Sequence, residues 1–182
     1  MKINDNLAVM LKVGDRDAYH TPISKETFEA SYRLIAATKA ALFDTTDEAL
    51  ILDGPVLSRL VLMDEGARLA RKRGEEGDSG ASALIREITR LTMVVGPNLE
   101  MLPVDAVGLD EDEWQEALSK LIFFTVNYAL APKAEKPKRA ASVSAMMGFS
   151  TTSQSSEDWA RSLATSTATE KPAKKAASSV PV

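Results

Sequence analysis

The chain has 182 residues, of which 45% are hydrophobic, 26% charged and only 5% aromatic, values that suit one folded domain with at most an accessory segment. It contains no cysteine, which excludes disulfides, thiolate metal sites and cysteine nucleophiles. The net charge of −4 conceals a division, because residues 132–182 carry 8 Lys+Arg against 4 Asp+Glu while residues 1–131 carry 14 against 22. An acidic body repels a phosphate backbone, so no nucleic acid is expected as a partner. No membrane is expected either. The N-terminus lacks the basic-then-apolar order of a signal peptide, and the longest apolar run, Leu121 to Ala131, is broken by Thr125 and Asn127. That run is also far short of the roughly 20 residues a spanning helix needs.

In chain order, Leu7, Val9, Leu11 and Val13 alternate with Ala8, Met10 and Lys12, the period of a half-buried strand. Gly14 to Asp17 reads as a turn and Ala18 to Thr21 as the return strand of a hairpin, stopped by Pro22. Ser24 marks a helix start, with Ile23 and Phe28 placed to form a hydrophobic staple. Phe28, Tyr32, Ile35 and Leu42, with Leu34, form its apolar stripe, and Asp44 to Asp47 end it. Gly54-Pro55 suits the entry to a second helix, whose buried side is read as Val56, Leu57, Leu60, Val61 and Met63. Arg68, Arg71, Lys72 and Arg73 gather at its C-terminal end, where the helix dipole favours positive charge. Gly74 to Gly80 reads as a mobile loop.

Leu84, Ile88, Leu91 and Val95 predict a third helix that lasts until Gly96-Pro97. A fourth starts at Asp110, with Glu113 completing a capping box and Trp114, Leu118, Leu121 and Ile122 beginning its inner face. Its second half is apolar nearly all round, which implies either deep burial or a partner on the outer face. Beyond Pro132, Ala, Ser, Thr, Lys and Pro dominate, and a largely disordered tail is expected. Within it, Ser155 and Asp158 predict a capped helical motif near 155–163 that puts Trp159 and Leu163 on one face. Such anchors serve equally to dock into a partner's groove or onto their own domain. The expected fold is therefore mainly α. A small N-terminal β-hairpin packs on about four helices in residues 1–131, and residues 132–182 follow as a flexible basic tail.

No phosphate loop, nucleophile elbow or zincin helix is present in the sequence. His20, the only histidine, is expected to be structural, and the acidic cluster Asp105, Asp110, Glu111, Asp112 and Glu113 to serve a helix start rather than a metal. No catalytic residue, cofactor or metal is expected. The expected activity is binding of other proteins, and the residues singled out for it are Phe123, Phe124, Tyr128, Phe149, Trp159 and Leu163.

Three stretches carry a resemblance. His20-Thr21-Pro22-Ile23-Ser24-Lys25-Glu26-Thr27-Phe28-Glu29-Ala30 leads into Arg33-Leu34-Ile35-Ala36-Ala37-Thr38-Lys39-Ala40-Ala41-Leu42. Asp112-Glu113-Trp114 precedes Phe123-Phe124-Thr125-Val126-Asn127-Tyr128-Ala129-Leu130-Ala131. Ser153 to Thr167 centres on Glu157-Asp158-Trp159-Ala160-Arg161-Ser162-Leu163. In this order they resemble the strand-to-helix opening, final body helix and Ser/Thr-rich tail motif of tail assembly chaperones from long-tailed, siphovirus-type bacteriophages. The resemblance implies a non-enzymatic protein of the host cell cytoplasm, absent from the mature virion, that binds the tape measure protein and helps recruit tail tube subunits. Self-association is compatible with it. Many members are made in two lengths by a ribosomal frameshift, and Lys174-Lys175 is compatible with an A-rich slippery stretch, which the nucleotide sequence tests. The alternative is a structural minor tail or head-to-tail connector protein of a phage virion.

Overall fold

A computed structural model describes residues 7–43 and 48–169. Asp44 to Asp47, expected to end the first helix, and residues 170–182 of the expected tail lie outside these. The protein is mainly α with a small sheet. In order it forms strands β1 (Ala8–Val13) and β2 (Arg16–His20), helices α1 (Lys25–Phe43), α2 (Glu48–Arg73) and α3 (Ala81–Arg90), strands β3 (Thr92–Val95) and β4 (Met101–Pro103), helices α4 (Glu111–Tyr128) and α5 (Lys136–Met146), strand β5 (Ser150–Thr152) and helix α6 (Ser156–Thr169).

The expected hairpin exists and forms the middle of a larger antiparallel sheet of order β4-β3-β2-β1-β5. The third helix ends at Arg90, not at Val95. Leu91 and Val95 fit a helical period, but Thr92–Val95 instead runs extended and pairs with β2, Tyr19 opposite Met93 and Ala18 opposite Val94. Thr92 closes the junction by donating its hydroxyl to the Ile88 carbonyl at 2.8 Å.

The caps expected at Ser24 and Asp110 are present, but the return bond of the capping box at α4 is not formed, because the Glu113 carboxylate lies over Gly14 instead. Ser24 accepts from the Thr27 N–H at 3.1 Å, and Asp110 accepts from Asp112 and Glu113 at 3.0 and 3.1 Å. Ile23 and Phe28 both pack on the core. Asp78 pins the start of α3, accepting from the N–H groups of Gly80 and Ser82 and from the Ser82 hydroxyl. These bonds hold its carboxyl below the usual range. The expected mobile loop is therefore fixed at its C-terminal end.

The second helix departs most from expectation. It begins at Glu48, so Pro55 lies inside it, and its deeply buried ridge is Gly54, Ser58, Leu62, Gly66 and Ala70, each one turn from the last. Val56 and Leu60 face outward. Small side chains on this ridge let α2 approach its neighbours closely. A Cβ at Gly54 would meet Phe123 at 3.6 Å, ordinary contact, whereas one at Gly66 would lie 2.2 Å from the Asp78 carbonyl oxygen and 2.8 Å from the Ala81 Cβ. Alanine gains up to about 1 kcal/mol over glycine inside a helix. At Gly66 the backbone oxygen cannot retreat cheaply, and overpacking costs about 1–3 kcal/mol. Gly66→Ala is therefore expected to lower the urea midpoint, and Gly54→Ala to hold or raise it, with unchanged m values in both.

The main core lies between the helices and one face of the sheet. Val9, Leu11, Val13, Ala18 and Val94 meet Leu34, Ile35, Leu62, Leu84, Ile88 and the length of α4. Four polar side chains within the helices are satisfied by carbonyls one turn back: Thr38 by Leu34, Ser58 by Gly54, Thr125 by Leu121, and Asn127 by Phe123.

Among the described residues of the expected disordered tail, 132–169, the structure instead shows ordered elements. Helix α5 packs Ala140 and Val143 into the main core, β5 pairs with β1, and α6 lies on the sheet's second face. Sparse apolar anchors order this segment because each finds a preformed surface, which offsets the conformational entropy lost.

Candidate protein-binding site

The six residues singled out for partner contact divide between two places, and all face inward to some degree. Phe123 and Phe124 are buried in the main core, where Phe123 meets Phe43 at a ring distance of 5.7 Å and Phe124 stacks on Tyr128 at 5.2 Å. Tyr128 is half-buried, with the Lys136 ammonium 5.3 Å from its ring centre. Phe149 packs half-buried against the same core. Deep burial thus explains why α4 is apolar on every side, since α2, α5 and the sheet surround it. In this conformation Phe123 and Phe124 are not surface contacts.

Trp159 and Leu163 stand apart, on the face of the sheet turned away from the helices. Alternation along the strands brings Ala8, Met10, Tyr19, Met93, Val95 and Met101 to that face. Trp159 is buried there against Ala8 and Tyr19, its ring 5.7 Å from that of Tyr19, with Leu163, Met10, Val95 and Met101 half-buried around them. Burial raises the pKa of the Tyr19 phenol, which donates to the Gln154 carbonyl at 2.8 Å and so ties down the lead-in to α6. The expected cap of α6 is present: Ser155 Oγ accepts from the Asp158 N–H at 3.2 Å and donates to its carboxylate at 2.8 Å. Trp159 and Leu163 are brought together as expected, and their first partner is the chain's own sheet.

Among the apolar side chains that reach solvent, Val56, Leu60 and Tyr32 belong to stripes expected to be buried, and Phe43 lies at the expected end of its helix. Val56 and Leu60, one turn apart on α2, are 47% and 55% exposed, while Tyr32 and Phe43 on α1 are 52% and 53% exposed. For Val56 and Leu60 the signal was the small-residue ridge of α2, which fixes the opposite face as the outer one.

The residues considered for chemistry have structural partners. His20 is fully buried and its Nδ1 lies 3.0 Å from Thr92 Oγ1; because that hydroxyl already donates to Ile88, His20 carries its proton on Nδ1 and donates. Its Nε2 is buried without a hydrogen-bond partner, and burial lowers its pKa to about 3. Arg68 is paired with Glu65, and Arg73 lies 3.7 Å from Glu75. In the acidic cluster Asp110 caps α4, Glu111 accepts from Gln115, and the Glu113 carboxylate lies over Gly14 in the β1–β2 turn. Among the described residues no acidic or histidine group is placed to hold a metal ion, and no helix is long and apolar enough to cross a membrane. A shallow cleft of about 390 Å³ beside α1 and α2 is lined by Glu29, Tyr32, Arg33, Arg73 and Ser79, a mixture of both charges.

Set against known proteins, the chain matches no family model, no curated protein and no solved structure.

Proposed function

We propose that the protein is a non-enzymatic tail assembly chaperone of a long-tailed phage, which binds the tape measure protein and helps recruit tail tube subunits in the host cell cytoplasm. The sequence resemblance motivates the reading, and one observation carries its physical side. The acidic body keeps large apolar side chains on its solvent surface, with Val56 and Leu60 adjacent on α2. Large apolar groups held in water on a charged scaffold suit contact with an apolar helical client, while the net negative charge keeps the carrier soluble.

Co-expression with the tape measure and tube proteins of the same genome tests the reading. The expected result is that the tagged chain retains the tape measure protein in soluble form, and that Val56→Asp with Leu60→Asp reduces the retained amount at least tenfold. Failure to retain either client overturns it. Mass spectrometry of purified particles is expected to find the chain absent, and its presence in stoichiometric amounts would assign it to the virion instead.

A further inference from the structure

Positive charge gathers at one place on this acidic chain against the preference of the local structure. Residues 133–139 carry four cations, Lys133, Lys136, Lys138 and Arg139, and a single carboxylate, Glu135. Three of the cations fall in the first turn of α5, where the helix dipole favours carboxylates and disfavours positive charge. No acidic side chain lies in that turn, and no side chain caps it. Elsewhere Arg68, Arg90, Lys120 and Arg161 each have a carboxylate one turn away on the same helix. Among the described residues Lys138 and Arg139 have no ion-pair partner, and Glu135 pairs with neither.

A second helix adds to the concentration. Lys39 of α1 is half-buried, and its pKa is lowered first by that burial and then by the charge of Arg139. Cations from two helices therefore meet without a described carboxylate between them. Glu135, Lys138, Arg139 and Ser142 share one face of α5 and line an open groove of about 430 Å³. The opposite face of α5 sends Ala140 and Val143 into the core, which fixes the groove on the outside.

We infer that this groove docks an acidic peptide segment of a partner protein, whose Asp or Glu carboxylates are held by Lys138 and Arg139, with Ser142 as a hydroxyl donor and Lys39 adding charge from α1. Charge complementarity selects the occupant. A carboxylate placed among these cations relieves their repulsion and supplies the negative charge that the start of α5 lacks. A nucleic acid fits less well. Its evenly charged strand would continue from the groove onto a body of 14 Lys+Arg against 22 Asp+Glu, whereas a peptide confines its charge to a few side chains. The groove lies on a different helix from Val56 and Leu60, so it goes beyond the contact proposed above, and the two fail separately.

The test is fluorescence anisotropy with the full chain and a fluorescein-labelled twelve-residue peptide containing four glutamates among alanine and serine. The same peptide with glutamine for glutamate, and a twelve-nucleotide single-stranded DNA, are the other probes. Lys138→Glu with Arg139→Glu is expected to weaken binding of the glutamate peptide at least tenfold, and Lys39→Gln at least threefold. Arg71→Glu with Lys72→Glu, an equal charge reversal at exposed positions of α2, should change it less than twofold. Because the introduced carboxylates suit a helix start, the urea midpoint of the Lys138 and Arg139 double variant should hold or rise while its binding falls. No binding of the glutamate peptide, equal binding of the glutamine peptide, or equal weakening by both double reversals would overturn the proposal. So would tighter binding of the DNA, which makes nucleic acid the occupant, and a urea midpoint that falls with the reversal, which gives these cations a structural role.

Discussion

Replacing Phe124 with alanine is expected to cost about 3–5 kcal/mol of folding stability, the usual range for emptying a buried aromatic site. Phe124 is the largest fully buried side chain and stacks on Tyr128 with an interplanar angle of 12°. α2 and α5 both pack on α4, so the surrounding wall is fixed by several elements and collapses poorly onto the space left. The measurement is urea unfolding followed by far-UV circular dichroism. Phe124→Leu should lose much less than Phe124→Ala, because it keeps most of the volume. Val56→Thr, on the outer face of α2, should stay within about 0.5 kcal/mol of the unaltered chain. A Phe124→Ala chain that unfolds at the unaltered midpoint would place this ring outside the core.

His20 is expected to make the fold acid-sensitive in a pH range where carboxylates are not yet titrating. Its folded pKa is about 3, against 6.5 in an unfolded chain. Between these values the unfolded state binds a proton that the folded state refuses, so stability is full above about pH 6.5 and falls as the pH drops towards 3. The slope is about 1.4 kcal/mol per pH unit, so the loss reaches about 2 kcal/mol by pH 5. Asp78 and Glu87 are held below the usual carboxylate range and act only at lower pH. The comparison is His20→Asn, whose amide keeps a donor for Thr92 and does not titrate. Urea midpoints at pH 7.5 and pH 5 should separate for the unaltered chain and nearly coincide for the variant. Equal drops in both would mean that His20 accepts its proton within the fold.

What the sequence disclosed was local. Ser24, Asp110 and Ser155 start helices through bonds to backbone groups two or three residues away, and a short window of residues contains everything those bonds need. What it concealed was set by distant partners. Thr92 to Val95 became a strand because β2 lay beside it, although Leu91 and Val95 also fit the preceding helix. The inner face of α2 was read only in part: Val61 and Met63 do pack on the core, but Val56 and Leu60 face solvent, because the buried ridge is built largely of glycine, serine and alanine, which a search for large apolar side chains passes over. The positions of the candidate site residues also depend on distant partners. Phe123 and Phe124 looked available because the sequence does not show that α5 returns to cover α4, whereas Trp159 and Leu163 were readable as anchors without a visible destination. His20 is buried and bonded to Thr92, a long-range pairing that no short window of sequence contains.

The pairing of β1 with β5 has a consequence for the order of synthesis. Met10 lies opposite Ser150, so β1 leaves the ribosome long before β5 and waits for nearly all of α1 to α5 before its outer edge is paired. Contacts this distant along the chain are slow to close, and an unpaired edge is a template for any passing strand. During translation the protein thus presents an open edge at Ala8 to Met10 and, beside it, a sheet face still without Trp159. Any partner that engages the nascent chain in that interval meets both surfaces before the protein's own C-terminal segment exists to compete for them.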